Sequence, residues 1–474
     1  MLFNSTSFLI FLPIVFALFW LANKKLQLQN LIVLVASYVF YAWWDWRFLG
    51  LIIASTLVDY VVGKNLEKTT TNSRRKALVS ISLLFNLGLL GFFKYYNFFI
   101  ESFIKAFETA GISLEASTLQ IILPVGISFY TFQTLSYTLD VYKKEISASK
   151  NMLSFATYVA FFPQLVAGPI ERAAQLLPQF SLPKKFDYQL AKSGIYLMIW
   201  GLFKKVVVAD NCAFFVNQIF DNPAQESSIT LLIGAVLFAF QIYGDFSGYS
   251  DIAIGVARLF GFRLMTNFSY PYFSRDIAEF WRRWHISLST WFRDYLYIPL
   301  GGSRGTKLKQ VRNVFIIFLV SGFWHGANWT FVVWGGIHAL LFLPLLLVKA
   351  NRKNLEGNHL NLKNISSIIF TFLLVTFAWV FFRAANLGEA WQYVVEILKM
   401  DDLSMNLFLK SNKYLLLFGV SLCSILVLLL TEYTAFANNK KEVQLNKWKS
   451  FIVVILILFL GVFKNPSDFI YFQF

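Results

Sequence analysis

Apolar residues in this chain come in long unbroken runs rather than in alternation. Runs at 7–23, 78–99, 367–383, 414–431 and 450–464 contain few charges. Roughly 20 apolar residues are needed to cross a bilayer core, so each run reads as a membrane helix, or nearly one. Continuous apolar runs exclude the two-residue period of a half-buried strand. The fold expected is all-α and polytopic, a single integral membrane domain over residues 1–474. Counting the shorter runs gives about 11 or 12 spans, plus re-entrant and interfacial helices. The stretch 152–250 is broken by Pro163, Gly168, Pro169 and Gly244, and its path is the least determined.

The polar stretches between runs set a topology, because loops rich in Lys and Arg stay cytoplasmic. Lys24 and Lys25 follow the first run, and residues 64–76 hold five basic residues and one acid. Both therefore lie inside, as do 143–150, 350–365 and 434–449. Residues 94–116 lie outside. Both chain ends are then expected on the outer face. The first ten residues carry no cation and do not form a cleaved signal peptide.

One segment fits no span. Residues 262–312 mix nine Arg or Lys and three acids with aromatic residues. This composition predicts a pair of interfacial helices on the cytoplasmic face.

Composition sharpens the class. The chain is 57% hydrophobic and 14% charged, against about 25% charged in a soluble protein. The net charge of +16 belongs mainly to topology, and no nucleic-acid partner is expected. Cys212 and Cys423 form no CxxC or zinc spacing, so no metal is expected. HExxH and GxxxxGK[ST] patterns are absent, and no GxSxG nucleophile elbow is expected.

The chemistry concentrates in FIIFLVSGFWHGANWTFVVWGGIHALLFLPLLLVK, residues 315–349, which holds two of the four histidines. His325 lies 13 residues past Arg312, about 20 Å along a helix. An ionisable side chain at that depth marks a functional site by default. Imidazole can take a proton from a hydroxyl and return it to a leaving group. The alternative is a neutral histidine bonded to another helix. On one continuous helix Ser321 and Asn328 share its face, while Gly322 and Gly326 leave room beside it. His338 belongs to a next segment if the chain breaks at Gly335–Gly336.

WRRWHISLSTWFRDYLYIPLGG (281–302) and SGFWHGANWTFVVWG (321–335) resemble the membrane-bound O-acyltransferases, in particular the branch of the bacterial alginate O-acetyltransferases. LPVGISFYTFQTLSYTLDVYK (123–143), FFPQLVAGPIERAAQLLPQF (161–180) and YGDFSGYSDIAIG (243–255) also look like that branch. The resemblance implies a ring of tilted helices around a central tunnel. It implies His325 as the catalytic base and His285 as an auxiliary polar group near the cytoplasmic entrance. A thioester donor, acetyl-CoA or an acyl carrier protein, would enter from the cytoplasm. The acyl group, acetyl first, would pass to an extracytoplasmic polysaccharide with the help of a separate esterase-like partner. Arg282, Arg283, Arg293 and Arg304 would face donor phosphates. Asp245 and Asp251 would shape the tunnel by pairing with arginines. Tyr471, in FIYFQF at 469–474, resembles a C-terminal tyrosine that receives the acyl group; the alternative is aromatic anchoring. Transfer of another unit such as D-alanyl, a transporter or flippase, and an export-complex subunit are the competing readings. The location implied is the bacterial inner membrane.

Overall fold

The computed structural model describes residues 1–114, 118–166, 168–355, 361–464 and 467–470. The described residues form helices and connecting turns, with no strand among them. In order, α1 spans Thr6–Leu21, α2 Leu26–Asp45, α3 Leu49–Lys68, α4 Asn72–Leu90, α5 Tyr96–Thr109, α6 Ile127–Lys143 and α7 Met152–Ala160. They are followed by α8 Tyr188–Leu202, α9 Asp210–Asp221, α10 Ser228–Leu259, α11 Ile277–Arg283 and α12 Ile286–Phe292. The last six are α13 Lys307–His325, α14 Trp329–Leu347, α15 Leu362–Arg383, α16 Leu387–Lys399, α17 Asn412–Ala437 and α18 Lys447–Leu460.

Helix starts follow local side-chain chemistry. The Thr306 hydroxyl accepts from the Lys309 N–H to begin α13, and Asn328 Oδ1 accepts from the Thr330 N–H at 3.0 Å to begin α14. Each supplies an acceptor to a terminal N–H that has no helical partner.

Six helical stretches among the described residues are long and apolar enough to cross a membrane: Leu26–Lys68, Asn72–Thr109, Ser228–Leu259, Trp329–Leu347, Leu362–Arg383 and Asn412–Ala437. The protein is a multi-pass, all-helical membrane protein. Six is fewer than the number of apolar runs suggests, for two reasons. Leu26–Lys68 holds both α2 and α3, and Asn72–Thr109 holds both α4 and α5. Other apolar helices are too short to qualify, α1 and α18 among them.

The chain forms two compact units. The first comprises Met1–Lys192 and Val256–Met265. Its core is aromatic around Phe3, Phe8, Phe40 and Phe162. It also buries Asp59 of α3, which accepts hydrogen bonds from Ser82 and Asn86 of α4 and from Thr138 of α6. A membrane interior offers no water, so a carboxylate there needs such partners.

The second unit comprises Ser193–Gly255 and Thr266–Phe474. Small residues let its helices touch backbone to backbone. A Cβ on Gly248 would lie 2.6 Å from the Gly201 carbonyl oxygen, and one on Gly255 2.5 Å from that of Gly194. In the α13–α14 hairpin, a Cβ on Gly322 would collide with the Phe331 carbonyl, and one on Gly335 with the Phe318 carbonyl. Gly335–Gly336 is therefore not a break: both residues lie inside α14. The chain turns instead at Gly326–Asn328, directly after His325.

Candidate active site

Everything described in this section lies in the second unit. His325 is the last residue of α13 and is buried. Its ring stands 5.0 Å from Trp324, 5.1 Å from Trp334 and 5.4 Å from Phe382. His285, from the turn between α11 and α12, approaches it with ring centroids 6.4 Å apart. Forty residues of sequence separation are thus closed to a neighbouring pair.

The tautomer of His285 follows from its neighbours. Asn267 Oδ1 accepts the Ser287 backbone N–H at 3.2 Å, which fixes the orientation of the amide. That same oxygen lies 3.1 Å from His285 Nδ1, so Nδ1 carries the proton and Nε2 the lone pair. The amide nitrogen of Asn267 donates to Ser250 Oγ at 3.1 Å. His285 lies outside the spanning helices, and burial pulls its pKa down to about 3, leaving the ring neutral.

A cavity of about 560 Å³ runs along one face of α13. Gln310, Val314, Phe318 and Ser321 line it at three- and four-residue spacing, the period of one helical face. His325 continues that row one turn beyond Ser321. Arg293, Lys349 and Arg352 are exposed and also line it, and Lys349 and Arg352 follow the end of α14 that is away from the His325 turn. The cavity therefore carries cations at the end away from His325.

The remaining predicted residues are placed as follows. Asn328 does not share a helical face with His325, because the helix ends between them. It caps α14 and donates to the Ala385 carbonyl at 2.8 Å. Arg293 lines the cavity, and its Nε also pairs with Asp294 at 2.7 Å. Arg282 and Arg283 point elsewhere. Arg282 donates to the Asn351 and Asn354 carbonyls, at 2.8 and 3.1 Å. Arg283 pairs with Glu279 at 2.9 Å and donates to the Ser269 carbonyl. Arg304 is exposed.

Asp245 and Asp251 are each ion-paired with a lysine, where the sequence reading expected arginines. Lys204 and Lys205 sit in a π-helical turn, Phe203–Ala209, which aims consecutive side chains at separate partners. Lys204 reaches Asp251 at 2.5 Å, and Lys205 reaches Asp245 at 2.8 Å and Asp210 at 2.9 Å. Lys205 also donates to the Ser467 carbonyl at 3.0 Å, while Asp245 accepts the Ile470 N–H at 2.7 Å. Phe469 is buried and packs tilted against Tyr249, ring centroids 4.6 Å apart. It also lies 6.1 Å from Phe246, whose ring is 4.7 Å from His285. The segment before Tyr471 is thus seated inside the unit. Tyr471 itself lies outside the described residues.

The family model for the membrane-bound O-acyltransferases matches residues 44–385 of the chain. The probable alginate O-acetylase AlgI of Azotobacter vinelandii is 40% identical over 413 residues, 86% of this chain and 80% of its own. The chain belongs to the membrane-bound O-acyltransferase family. It is accordingly an O-acyltransferase, an enzyme of the membrane. AlgI of Pseudomonas aeruginosa is 39% identical over 94% of this chain and 84% of its own length. The peptidoglycan O-acetyltransferase of Helicobacter pylori is 33% identical over 100% of this chain and 98% of its own.

Sequence reasoning singles out the two histidines and Ser321, and does not single out Asn267, Lys204, Lys205, Asp210, Lys349 and Arg352, which the fold places beside them or beside the predicted aspartates. The lysine pair carried a signal, since adjacent charges within an apolar run require partners.

Proposed function

We propose that this O-acyltransferase takes an acyl group, acetyl first, from a thioester in the α13 cavity and delivers it for O-acetylation of an extracytoplasmic polysaccharide. The observation that carries this reading is the cavity itself, cationic at its mouth and ending one helical turn before a pair of histidines. Arg293, Lys349 and Arg352 meet the phosphates of coenzyme A or of a carrier protein's prosthetic arm. The relatives named for alginate and peptidoglycan O-acetylation support the choice of acetyl and of a polysaccharide.

In the step itself, neutral His325 takes the proton of an acceptor hydroxyl as its oxygen attacks the thioester carbonyl. The C–S bond breaks, and the leaving thiolate recovers the proton from the imidazolium. His285 presents its Nε2 lone pair to the same space and orients the hydroxyl. Surrounding aromatic rings exclude water that would hydrolyse the thioester.

The donor enters from the cytoplasm, where the basic mouth belongs by the positive-inside rule. The chain acts as one membrane domain of the bacterial inner membrane, with both ends on the outer face and a tunnel joining the two sides at His325. Tyr471 is the first acceptor and passes the acyl group to a separate extracytoplasmic partner, which completes transfer to the polymer. The chain needs no metal or covalently bound cofactor.

Labelled acetyl donor, purified protein and mass analysis of the peptide containing Tyr471 test this reading. Wild type is expected to carry the label, and His325→Ala to lose it while still binding donor. Loss of the base should lower overall transfer by roughly 10²–10⁴-fold. A label that persists on Tyr471 in the variant would remove His325 as the base. Absence of label in both, with transfer to polymer intact in wild type, would remove Tyr471 from the route.

A further inference from the structure

His338 lies in α14 and is fully buried, and the mechanism above does not use it. Its Nδ1 is 3.3 Å from Trp281 Nε1. An indole N–H only donates, so His338 Nδ1 is the acceptor and the neutral ring keeps its proton on Nε2. Phe280 lies parallel to the imidazole at 6.2 Å and 2°, Phe318 at 6.2 Å and 20°, and Trp334 closes on it edgewise at 4.8 Å. The imidazole is therefore held on several sides, and through it so is the indole.

Trp281 occupies a particular place. It lines the α13 cavity together with Phe318 and Ser321, the last lining residues of α13 before His325. Its ring packs 5.4 Å from Phe318 and 5.7 Å from Trp334, and Trp334 in turn packs 5.1 Å from His325. The indole borders the cavity and, through Trp334, packs on the aromatic surroundings of His325. A two-carbon acyl group extends barely past its carbonyl carbon, whereas each added methylene needs space where Trp281 stands.

We propose that Trp281, fixed by its hydrogen bond to His338, is the stop at the inner end of the cavity that limits the donor's acyl group to two carbons. His338 is then a positioning residue for specificity, acting through Trp281. This rests on the reading that the cavity holds the thioester. An indole left without its acceptor could swing on its side-chain torsions, and the stop would lose definition.

The test uses the full chain in lipid nanodiscs with acyl-pantetheine thioesters of two, four and six carbons. These carry the arm shared by coenzyme A and carrier proteins. The readout is the ratio of kcat/KM for the four-carbon to the two-carbon donor. Trp281→Ala is expected to raise that ratio at least about tenfold, the scale at which pockets discriminate methylenes. Trp281→Phe, the milder change should alanine fail to fold, should raise it less. His338→Phe keeps the bulk but loses the acceptor, and should raise the ratio. His338→Gln restores an acceptor and should bring it back within about twofold of wild type. A purely structural role for His338 would lower both rates together and leave the ratio fixed. An unchanged ratio in the Trp281 variants, with wild-type acetyl turnover intact, would overturn the proposal. Failure of the wild type to use any thioester would instead defeat the reading of the cavity as the donor site, and this proposal with it.

Discussion

His285 holds a backbone conformation, φ 43°, that a side chain rarely adopts. Its ring is locked to Asn267, and Asn267 to Ser287 and Ser250. Strained backbone of this kind persists where the surroundings over-determine it, often at sites of chemistry. Asn267→Leu removes the acceptor that keeps the proton on Nδ1. Transfer should fall by about tenfold or more, with donor binding little changed; initial rates beside a donor-binding isotherm would show this split. Equal loss of binding would mean that Asn267 supports the fold alone. His325 was legible because an ionisable ring in an apolar run stands out, and His285 only through the family resemblance. Asn267 was not, since its role depends on a left-handed turn at His285 that no residue pattern announces. Arg282 and Arg283 mislead for a related reason. Basic residues report the side of the membrane, but not the direction in which a guanidinium points.

Among the elements, α11 carries a charge cluster of its own. Glu279 Oε2 accepts from Arg275 at 2.9 Å and Oε1 from Arg283 at 2.9 Å. Burial pushes the Glu279 carboxyl up, but the hydrogen bonds and charges of Arg275 and Arg283 outweigh it and hold the pKa below its ordinary 4.5. A depressed carboxyl contributes stability that is full above pH 4.5 and is lost as pH falls through the folded value. Thermal unfolding of the solubilised enzyme should therefore show a melting temperature that declines below pH 4.5. In Glu279→Gln that part of the decline should be missing. Unchanged acid sensitivity in the variant would place the loss on other carboxylates. The α13–α14 hairpin shows what element-level reading can reach. Its apolar character was plain, and Asn328 ahead of a new apolar run was an available cap signal. Gly335–Gly336 drew the break instead, because paired glycines read as punctuation in water. Between membrane helices they are contact surfaces.

For the molecule as a whole, helical class and family were legible from the apolar runs and five motifs in order. The number of crossings was less so. Hydropathy alone does not say where one run holds two helices, as in 26–68, or where a helix is too short to cross. Nor could it seat the final segment. Lys205, Asp210 and Asp245 are far apart in sequence from Ser467 and Ile470, and only the fold brings them together. That seat places Phe469 against Phe246 and so joins the end of the described chain to the wall of His285.

The glycine contacts of the second unit also have a genetic consequence. Gly322, Gly326 and Gly335 have no space for even one methyl group: their neighbours are the Phe331 carbonyl, the Phe331 ring and the Phe318 carbonyl. Forcing a methyl in typically costs ~1–3 kcal/mol. Gly50, Gly88, Gly91 and Gly419 face nothing within 4 Å. In a pooled library of alanine replacements selected for acetylated polymer, sequencing of the survivors should find the first three depleted and the last four retained. Equal retention of both sets would mean that the hairpin can spread. Depletion confined to the first three would mean that the survivors of such a library trace where these helices touch.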